Sequence, residues 1–399
     1  MSDAVVPRDC PVCGSAEKRV LFHQRFGGDL SGSLLSGYNV VVCGACGFGF
    51  ADGLPLQTVF DAYYRQMSKY EYEQPGGREG GFEGQRFPVA AAFIRAAVPD
   101  LDASVLDVGC SNGGLLHALR ETGYSHLLGL DPSPACAATA LRLYGLRVLS
   151  GTLAEPPAGL RRHDVVLLSA VLEHVRDLTG ALRQVRCALE PEGLLYVEVP
   201  DVTRFGVTPD APFQEFSVEH VNYFSPRSLR NLLGAGGFEE IASQTVTTVQ
   251  GENSVADVIM ALFRARDGSS GRPPDHDGET ERALTAYVSA SETLEAGIQA
   301  AIAPWVESGR DIVVWGVGTH TQRLLAESPL GRARIVAFVD SNSRYQGKDL
   351  AGVPVLAPSA LRGRSEPILI SSRFYQREIE RQIRDEMGLE NEVILLYRF

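Results

Sequence analysis

The sequence lacks three features that would indicate a membrane or nucleic-acid partner. It contains no apolar run of about 18 residues, so no membrane-spanning helix is predicted. Lys and Arg number 37 against 49 Asp and Glu, and the formal net charge of −12 argues against binding to nucleic acid or an anionic membrane. Met1 to Pro7 has neither a basic start nor an apolar core, so no secretory signal is predicted. These absences favour a cytoplasmic protein that acts on a small molecule.

Cysteine is scarce, with seven in the chain, and unevenly distributed. Cys110, Cys136 and Cys187 occur singly in predicted core elements, where reduced thiols are common. The other four form two C-x-x-C-G knuckles separated by 30 positions: Cys10, Cys13, Cys43 and Cys46. Four thiolates at this spacing are typical of structural zinc, so residues 1–62 are predicted to form a zinc ribbon. Disulfides and redox C-x-x-C chemistry are the alternatives.

A glycine-rich turn follows an apolar strand at residues 105–114. A dinucleotide site requires G-x-G-x-x-G, but here Ser111 replaces the middle glycine and Asp107 lies two positions before Gly109. The pattern D-x-G-x-S-x-G resembles motif I of class I S-adenosylmethionine (SAM) methyltransferases. Asp131 follows Gly109 by 22 positions, near the spacing of an acid that binds ribose hydroxyls. The predicted SAM contacts of this region are Asp107, Gly109, Cys110, Ser111, Gly113, Asp131 and Pro132. An ordinary strand-to-helix turn is the alternative.

Strands and helices alternate from residue 104 to residue 200. Strands are predicted at 104–108, 126–130, 146–149, 164–169 and 193–199. Helices are predicted at 88–97, 114–122, 134–144 and 178–189. This alternation predicts an α/β fold with a doubly wound parallel sheet, a Rossmann-like domain at residues 63–268 that binds its ligand at the carboxyl ends of the strands. Runs at 239–248 and 255–264 are expected to add antiparallel sixth and seventh strands.

Loops after two strands supply further candidates. Thr152 and Leu153 follow the third strand, where this fold contacts adenine, and Ser169 ends the fourth. His174 lies in an L-E-H-V segment that is common in SAM methyltransferases. It either assists the reaction or packs beside the cleft.

Residues 213–225 combine aromatics, acids and a histidine. His220 follows Glu219, and a histidine can move protons near neutral pH while an adjacent carboxylate orients it. Tyr223 adds a hydrogen-bonding group, and Ser225 with Pro226 predicts the start of a helix. His220 and Glu219 are therefore candidate catalytic residues, with His174 and Tyr223 as secondary candidates. The alternative is a surface loop with a structural histidine.

Four motifs occur in the same order as in one known family. The paired C-x-x-C-G, the segment 67–72, G-C-S-N-G-G and E-H-x-x-Y-F-S resemble the bacterial deoxysugar C-methyltransferases over nearly the whole chain. The resemblance implies a zinc domain, a class I SAM domain and a carboxyl-terminal Rossmann-like domain. It also implies that His220, with Glu219, removes the proton next to a ketone on a nucleotide-linked sugar, and that the enolate carbon takes the methyl group. Such sugar methylation belongs to secondary metabolism, in antibiotic biosynthesis.

One position departs from the family pattern. The sugar enzymes usually carry a tyrosine three residues before the histidine, where this chain has Ser217. That tyrosine handles the ketone or its enolate in the family, so the serine leaves open whether carbon, oxygen or nitrogen is methylated. A third hypothesis belongs to another class, a non-catalytic protein that binds a nucleotide-sugar.

The region between the ribbon and the SAM domain is rich in tyrosine. Tyr63, Tyr64 and the aromatic residues of segment 67–72 form a cluster. The cluster either covers the ligand as a lid or packs between domains.

The carboxyl-terminal third repeats the strand–glycine–helix signal. A polar linker at 267–280 and an amphipathic helix at 281–307 precede the glycine turn that begins at Gly316, and Asp340 follows Gly316 by 24 positions. Residues 269–399 are therefore predicted to form a second Rossmann-like domain. Thr321 replaces the third glycine, which favours a scaffold or a wall of the acceptor pocket over an NAD site. His320 and Arg323 are candidates for contacts to phosphate or sugar, and the alternative is that they are surface residues of a helix. A monomer and a small homo-oligomer both stay open.

Overall fold

The computed structural model describes residues 5–28, 34–66, 81–207, 211–251, 254–266, 268 and 271–397. The segment 67–72 lies outside these residues. Within them, no helix is both long and apolar enough to cross a membrane. The chain divides into two compact units. The first unit comprises the residues up to Leu21, Val40–Phe205 and Glu219–Thr285, and the second comprises Phe22–Asn39, Gly206–Val218 and the chain from Ala286 onward.

The amino-terminal region forms a small sheet. Its strands are β1 (Lys18–Arg25), β2 (Gly37–Cys43), β3 (Gly49–Asp52) and β9 (Asn222–Tyr223), in the order β1-β2-β3-β9. β3 pairs antiparallel with β9 and is buried along its whole length. The pairing joins the segment that follows His220 to the cysteine-bearing region.

Two helices precede the central sheet, α1 (Gln57–Gln66) and α2 (Gly81–Ala97). The sequence placed the start of α2 at Pro88, whereas the helix begins seven residues earlier and carries that proline inside. A proline within a helix removes one backbone hydrogen bond. The helix continues past it because the face formed by Ala90, Ala91 and Ile94 is buried in a core cluster.

Seven strands form the central sheet. They are β4 (Val105–Val108), β5 (Leu127–Asp131), β6 (Val148–Ser150), β7 (His163–Ser169), β8 (Leu189–Pro200), β10 (Phe238–Gly251) and β11 (Ser254–Ala265). Their order is β10-β11-β8-β7-β4-β5-β6. The first five strands are parallel, and β11 runs antiparallel to both β8 and β10. The expectation of two antiparallel strands is wrong for β10, which runs in the same direction as the five parallel strands. The two strands of a hairpin run in opposite directions, so only one of them, β11, can be antiparallel to the rest of the sheet.

The helices of this unit follow the predicted pattern. They are α3 (Gly114–Glu121), α4 (Pro134–Tyr144), α5 (Leu178–Ala188) and α6 (Pro226–Ala235). Ser225 caps α6 as predicted, since its hydroxyl accepts the Ser228 N–H. Cys187 is exposed rather than buried, which corrects its placement in the core. It lies off the stripe of α5 that packs inward, which ends in Val185 and Ala188.

The second unit contains most of α7 (Gly278–Glu307) and the six-stranded sheet that follows this helix. Its other elements are β12 (Asp311–Trp315), α8 (Thr319–Glu327), β13 (Arg334–Val339), β14 (Asp349–Leu350), β15 (Val353–Leu356), β16 (Ile368–Ile370), α9 (Gln376–Arg381) and β17 (Val393–Leu395). The order is β14-β15-β13-β12-β16-β17, and β14 is antiparallel to β15 while the other pairs are parallel. Alternate residues of β12 enter separate core clusters, Val314 in one and Val313 in the other, so both faces of the sheet are buried.

Candidate active site

A cavity of about 420 Å³ lies at the carboxyl ends of the central strands of the first unit. Open α/β sheets bind their ligands at this edge. Nine of the ten predicted SAM contacts line the cavity: Asp107, Gly109, Cys110, Ser111, Asp131, Pro132, Thr152, Leu153 and Ser169. The tenth, Gly113, is not among the lining residues. It caps the amino end of α3 in the left-handed conformation, with a φ of 83°.

The glycine turn is held by the acid at the end of β5. Gly109 and Ser111 both have positive φ values, 73° and 50°, and this conformation is uncommon for serine. The Ser111 N–H donates to Asp131 Oδ2 at 2.8 Å, and the Ser133 N–H donates to Oδ1 at 2.9 Å. Asp131 therefore supports the turn. A carboxylate is a hydrogen-bond acceptor, the type of group that ribose hydroxyls require.

A buried polar network that sequence reasoning missed lies beside this turn. Glu198, which is fully buried on β8, accepts hydrogen bonds from Arg86 at 2.8 Å, Tyr196 at 2.7 Å and Ser169 at 3.2 Å. Burial, followed by the charges of Asp131 and Glu198, raises the pKa of Asp107 well above its usual value. The available signal was an acid in the middle of the apolar run 194–199.

The lining of the cavity is rich in acids. Its carboxyl side chains are Asp61, Glu83, Asp107, Asp131, Asp177 and Glu219. Its guanidinium groups are Arg86 and Arg183. A cationic ligand therefore suits this cavity better than an anionic one.

His174 lines the cavity, at the end of the short helix Leu172–His174. Its Nδ1 lies 3.1 Å from the carbonyl oxygen of Glu219 and 3.2 Å from the Tyr64 hydroxyl. A carbonyl oxygen can only accept a hydrogen bond, so Nδ1 carries a proton. In neutral His174, Nε2 is then the acceptor nitrogen, and this residue can take up a proton there.

His220 packs against His174. The ring centroids are 4.9 Å apart at an interplanar angle of 70°. A carboxylate oxygen of Glu173 and one ring nitrogen each of His174 and His220 all lie within 4.8 Å of one another. Glu219 lines the cavity, whereas His220 is not among the lining residues. Both predicted histidines and the predicted acid are thus brought together at one edge of the cavity.

Two tyrosines of α1 reach this cluster. The Tyr63 hydroxyl donates to Glu219 Oε1 at 2.9 Å, and Tyr64 contacts His174 edge-on and lines the cavity. The interpretation of the aromatic cluster as lid or packing concerned these residues together with segment 67–72, which lies outside the described residues. What is described places two phenols against the candidate catalytic residues.

Tyr223 and Ser217 are not among the residues that line the cavity. Tyr223 is buried in β9, and its hydroxyl donates to the carbonyl oxygen of His220 at 3.3 Å. Ser217 belongs to the second unit, where its carbonyl oxygen accepts the Tyr38 hydroxyl at 2.8 Å.

The four knuckle cysteines converge on one point, with all their Sγ atoms within 4.8 Å. Cys10 lies 3.5 Å from Cys46, and Cys13 lies 3.5 Å from Cys43. Zinc–sulfur bonds of about 2.3 Å in a tetrahedron separate sulfurs by about 3.8 Å, so the arrangement fits this ion. The hydrogen bond from Cys46 lowers the pKa of Cys10 to about 5, and burial raises that of Cys13 to about 11.

The two candidates of the second unit have partners within that unit. Arg323 is buried, binds Glu295 at 2.6 and 2.7 Å and lies 3.9 Å above the Phe213 ring. His320 Nε2 lies 2.9 Å from the Tyr397 hydroxyl, and burial, followed by the charge of Arg323, lowers its pKa to about 4. The Arg323 guanidinium serves the core of its own unit, so the structure does not support its reading as a phosphate contact.

Comparisons with known proteins match the part of the chain that forms the cavity. A family model described as a methyltransferase domain matches residues 82–243, and another, described as C2185-like, N-terminal, matches residues 309–395. The C-methyltransferase NovU of Streptomyces niveus is 26% identical over 391 residues, which cover 91% of this chain and 89% of that protein. A ubiquinone biosynthesis O-methyltransferase of Azorhizobium caulinodans is 29% identical over 191 residues, which cover 44% of this chain and 73% of that protein.

A solved structure was also matched, the 1,6-didemethyltoxoflavin-N1-methyltransferase of Burkholderia thailandensis. It is 20% identical, with a TM-score of 0.40, and the match covers 55% of this chain and 96% of the methyltransferase. Likeness at this level carries no functional argument. The matched methyltransferase domain contains the strands and the turn that form the cavity. Together with the relatives that are named as methyltransferases, it shows that this chain is a SAM-dependent methyltransferase.

Proposed function

We propose that the chain transfers a methyl group to a carbon atom of a keto-deoxysugar linked to a nucleotide, with His220 as the base. The observation that carries the proposal is the cluster of Glu219, His220 and His174 at the edge of the cavity. The length of the similarity to the C-methyltransferase NovU supports it. The proposed biological setting is sugar methylation in antibiotic biosynthesis.

SAM, when bound, supplies a methyl group to a nucleophile and leaves as S-adenosylhomocysteine. The acidic lining favours the positive charge of its sulfonium over the neutral product. Asp131 is proposed to bind the ribose hydroxyls, and Thr152 and Leu153 are proposed to contact the adenine. His220 removes the proton next to the ketone, and the electron pair stays on the acceptor as an enolate whose carbon is the nucleophile. Glu219 orients His220, and His174 receives or returns a proton at Nε2.

Solvent deuterium exchange tests the carbon acceptor. The enzyme is incubated in D₂O with S-adenosylhomocysteine and a panel of nucleotide-linked keto-deoxysugars, and the acceptors are analysed by mass. One acceptor is expected to gain deuterium next to its ketone, and the same acceptor should gain a methyl mass from labelled SAM. Methylation of a hydroxyl or an amine without any C–H exchange would contradict the proposal.

His220→Ala tests the base. General-base catalysis contributes about 10²–10⁴-fold, so turnover should fall by that factor while the Kd of SAM, measured by calorimetry, stays within about twofold. His126→Ala is the matched control, because His126 is exposed in the same unit. Unchanged turnover in His220→Ala would remove this residue from the mechanism.

Methylation of oxygen or nitrogen is the second candidate function. Ser217 in place of the family tyrosine favours it, and so does the similarity to an O-methyltransferase of ubiquinone biosynthesis. The same cluster would then deprotonate a hydroxyl or an amine. The position of the added methyl group in the product, determined by NMR, distinguishes the two functions.

A structural zinc ion is proposed for Cys10, Cys13, Cys43 and Cys46. Four thiolates close the coordination sphere, so the ion would hold the small sheet together and take no part in the reaction. Metal analysis of the purified protein is expected to give about one zinc per chain, and a Cys13→Ser, Cys43→Ser variant should lose it. A full complement of zinc in that variant would contradict the assignment.

The domain boundaries are also proposed: a zinc ribbon at residues 1–62, the SAM domain at 63–268 and a second Rossmann-like domain at 269–399. The parallel sheet of the second unit supports the last assignment. Its proposed role is that of a substrate or scaffold domain. Limited proteolysis is expected to cut first at residues 271–276 of the polar segment, which are mostly exposed and lie outside helices and strands.

A further inference from the structure

Arg8 is a buried arginine that lies next to the first cysteine knuckle. Its side chain donates to the carbonyl oxygens of Val221 at 3.1 Å and Arg176 at 2.6 Å, and to Asn222 Oδ1 at 2.8 Å. Only 5% of the residue is exposed. The planar guanidinium thus binds two separate segments at once, one just after His174 and one just after His220.

Asn222 completes the connection between the same two segments. Its Nδ2 donates to the carbonyl oxygens of Leu172 and Val175, both at 2.7 Å. The Val221 N–H donates to the carbonyl oxygen of Glu173 at 2.7 Å. The backbone on both sides of His174 is therefore bound to the residues that follow His220.

The other side of Arg8 is fixed to the cysteine-bearing region. The Arg8 N–H donates to Asp52 Oδ1 at 2.6 Å, and Lys18 donates to the Arg8 carbonyl oxygen at 2.8 Å. Lys18 also pairs with Asp52 at 2.9 Å. Arg8 precedes Cys10 by two positions, so the backbone of the first knuckle leads directly into this arginine.

We propose that Arg8 and Asn222, named here the Arg8 clamp, are positioning residues that hold His220 against His174 for proton transfer. The inference rests on the proposed function for its chemistry and adds the cysteine-bearing region as the part that sets the geometry of the two histidines. A displacement of about 1 Å at reacting groups can cost about 10²-fold in rate, so a clamp made of short, buried hydrogen bonds has a direct effect on turnover.

Arg8→Ala is the principal test, and Arg19→Ala is its matched control. Arg19 belongs to the same region, but its side chain is 59% exposed and pairs with Glu281 on the surface. Two measurements require no acceptor: the Kd of SAM, and NMR titration of the Cε1–H signals of His174 and His220 in ¹³C-histidine protein. Arg8→Ala should change the titration of both histidines while the Kd of SAM stays within about twofold. Arg8→Lys, which keeps the charge but loses the fork, should restore part of the change.

Hydrogen exchange locates the effect. Loss of hydrogen bonds to a charged group should speed amide exchange at Val221 by about tenfold or more, with the central sheet unchanged. Once an acceptor is known, kcat should fall by about 10²-fold with the KM for SAM unchanged. If Arg8→Ala fails to fold, Asn222→Ala tests the same clamp away from the cysteines.

Three results would overturn the inference. One is an unchanged titration of both histidines in Arg8→Ala and Asn222→Ala. Another is an effect of Arg19→Ala equal to that of Arg8→Ala. The third is a loss of SAM binding in step with the histidine changes, which would indicate general destabilisation. Because the titration is read without an acceptor, failure of the proposed carbon methylation leaves the clamp separately testable.

Discussion

The first and second units each contain a strand that runs into a glycine turn, and the two turns are built alike. Gly109 and Gly316 both have positive φ values, 73° and 106°. The N–H of each donates to a carbonyl oxygen of the neighbouring strand at 2.7 Å, Leu130 in one case and Val339 in the other. The same backbone solution therefore occurs twice in the chain.

The acid of each turn does the same structural work. Asp131 accepts the N–H of Ser111 at 2.8 Å, and Asp340 accepts that of Val317 at 3.1 Å. Each also accepts the N–H of the residue two positions after itself, at 2.9 Å and 2.8 Å. In both units the acid at this spacing therefore holds the turn through two backbone hydrogen bonds.

The side chains around the two turns differ. In the first unit, Asp107 precedes the glycine by two positions and lines the cavity. The same position in the second unit is the buried, apolar Val314. Past the glycine, the Thr321 hydroxyl donates to the Gly316 carbonyl oxygen at 2.8 Å, and His320 is bound to Tyr397. The spacing of glycine and acid therefore indicates a fold, and the side chains beside it indicate a ligand.

The largest expected effects concern one arginine in each unit, Arg86 and Arg323, because each is buried and pairs with a buried carboxylate. Arg86→Met leaves Glu198 without its cation, and Arg323→Met does the same to Glu295. Each variant should lower the free energy of unfolding by about 3–5 kcal/mol, measured by chemical denaturation. Only Arg86→Met should also weaken SAM binding, because Arg86 lines the cavity.

A double variant separates charge from packing in the first unit. Arg86→Met with Glu198→Gln removes both charges and should recover much of the stability lost in Arg86→Met. Equal loss of SAM binding in Arg86→Met and Arg323→Met would break the distinction between the two turns.

The next largest effect is on the Kd of SAM and comes from replacing the carboxylates that hold the two turns, Asp131 and Asp340. Asp131→Ala removes two backbone hydrogen bonds and the proposed ribose contact, so the Kd of SAM should rise by roughly 10–100-fold. Asp340→Ala removes the matching pair of hydrogen bonds in the second unit and should leave that Kd within about twofold. Calorimetric titration of both variants with SAM measures the difference. A similar rise in both would show that turn stability, and not a ligand contact, explains the effect.

The sequence predicted most of the first turn because local rules determine it. Strand, glycine and helix follow from short-range patterns, and the caps at Ser225 and the strand order of a doubly wound sheet follow from general principles. Gly109, Ser111 and Asp131 were identified for the same reason. The prediction for β10 was wrong only in the direction of the strand, because that direction depends on the hairpin as a whole.

Long-range partners could not be predicted. Arg86 and Glu198 are 112 positions apart, and Arg8 and Asn222 are 214 apart. No pattern in the sequence marks such pairs, because each depends on the packing of separate elements. For the same reason, the sequence predicts a ligand contact at Arg323, whereas the structure gives it the partners Gln24 and Glu295 from other segments.

The glycines at the amino ends of α3 and α8 provide a smaller test. Gly113 has a φ of 83°, whereas Gly318 has a φ of −68° and open space around it. Gly113→Ala should cost about 1–2 kcal/mol of stability, because a Cβ is disfavoured in the left-handed region. Gly318→Ala should change stability by about 0.5 kcal/mol or less. Equal costs in denaturant titrations would mean that the two helix starts are not distinguished by their backbones.

Lowering the pH should change stability with opposite signs through His320 in the second unit and Asp107 in the first, and this effect is smaller still. Burial lowers the pKa of His320 to about 4, against about 6.5 in an unfolded chain, so the folded state binds fewer protons between these values. The contribution of His320 is full above about pH 6.5 and is lost as the pH falls toward 4. Burial raises the pKa of Asp107, which favours the folded first unit as the pH falls. Asp340, whose pKa burial also raises, opposes His320 within the second unit.

His320→Gln isolates the histidine, because glutamine can still bond to Tyr397 but does not titrate. Between about pH 7 and about pH 6 the wild type should lose less than about 1 kcal/mol more stability than the variant, and the gap should widen toward about pH 5. His126→Gln, at an exposed position of the first unit, is the control for replacing a histidine by glutamine. Parallel slopes for wild type and His320→Gln would mean that the imidazole takes up a proton equally in the folded and unfolded states, which would contradict the lowered pKa.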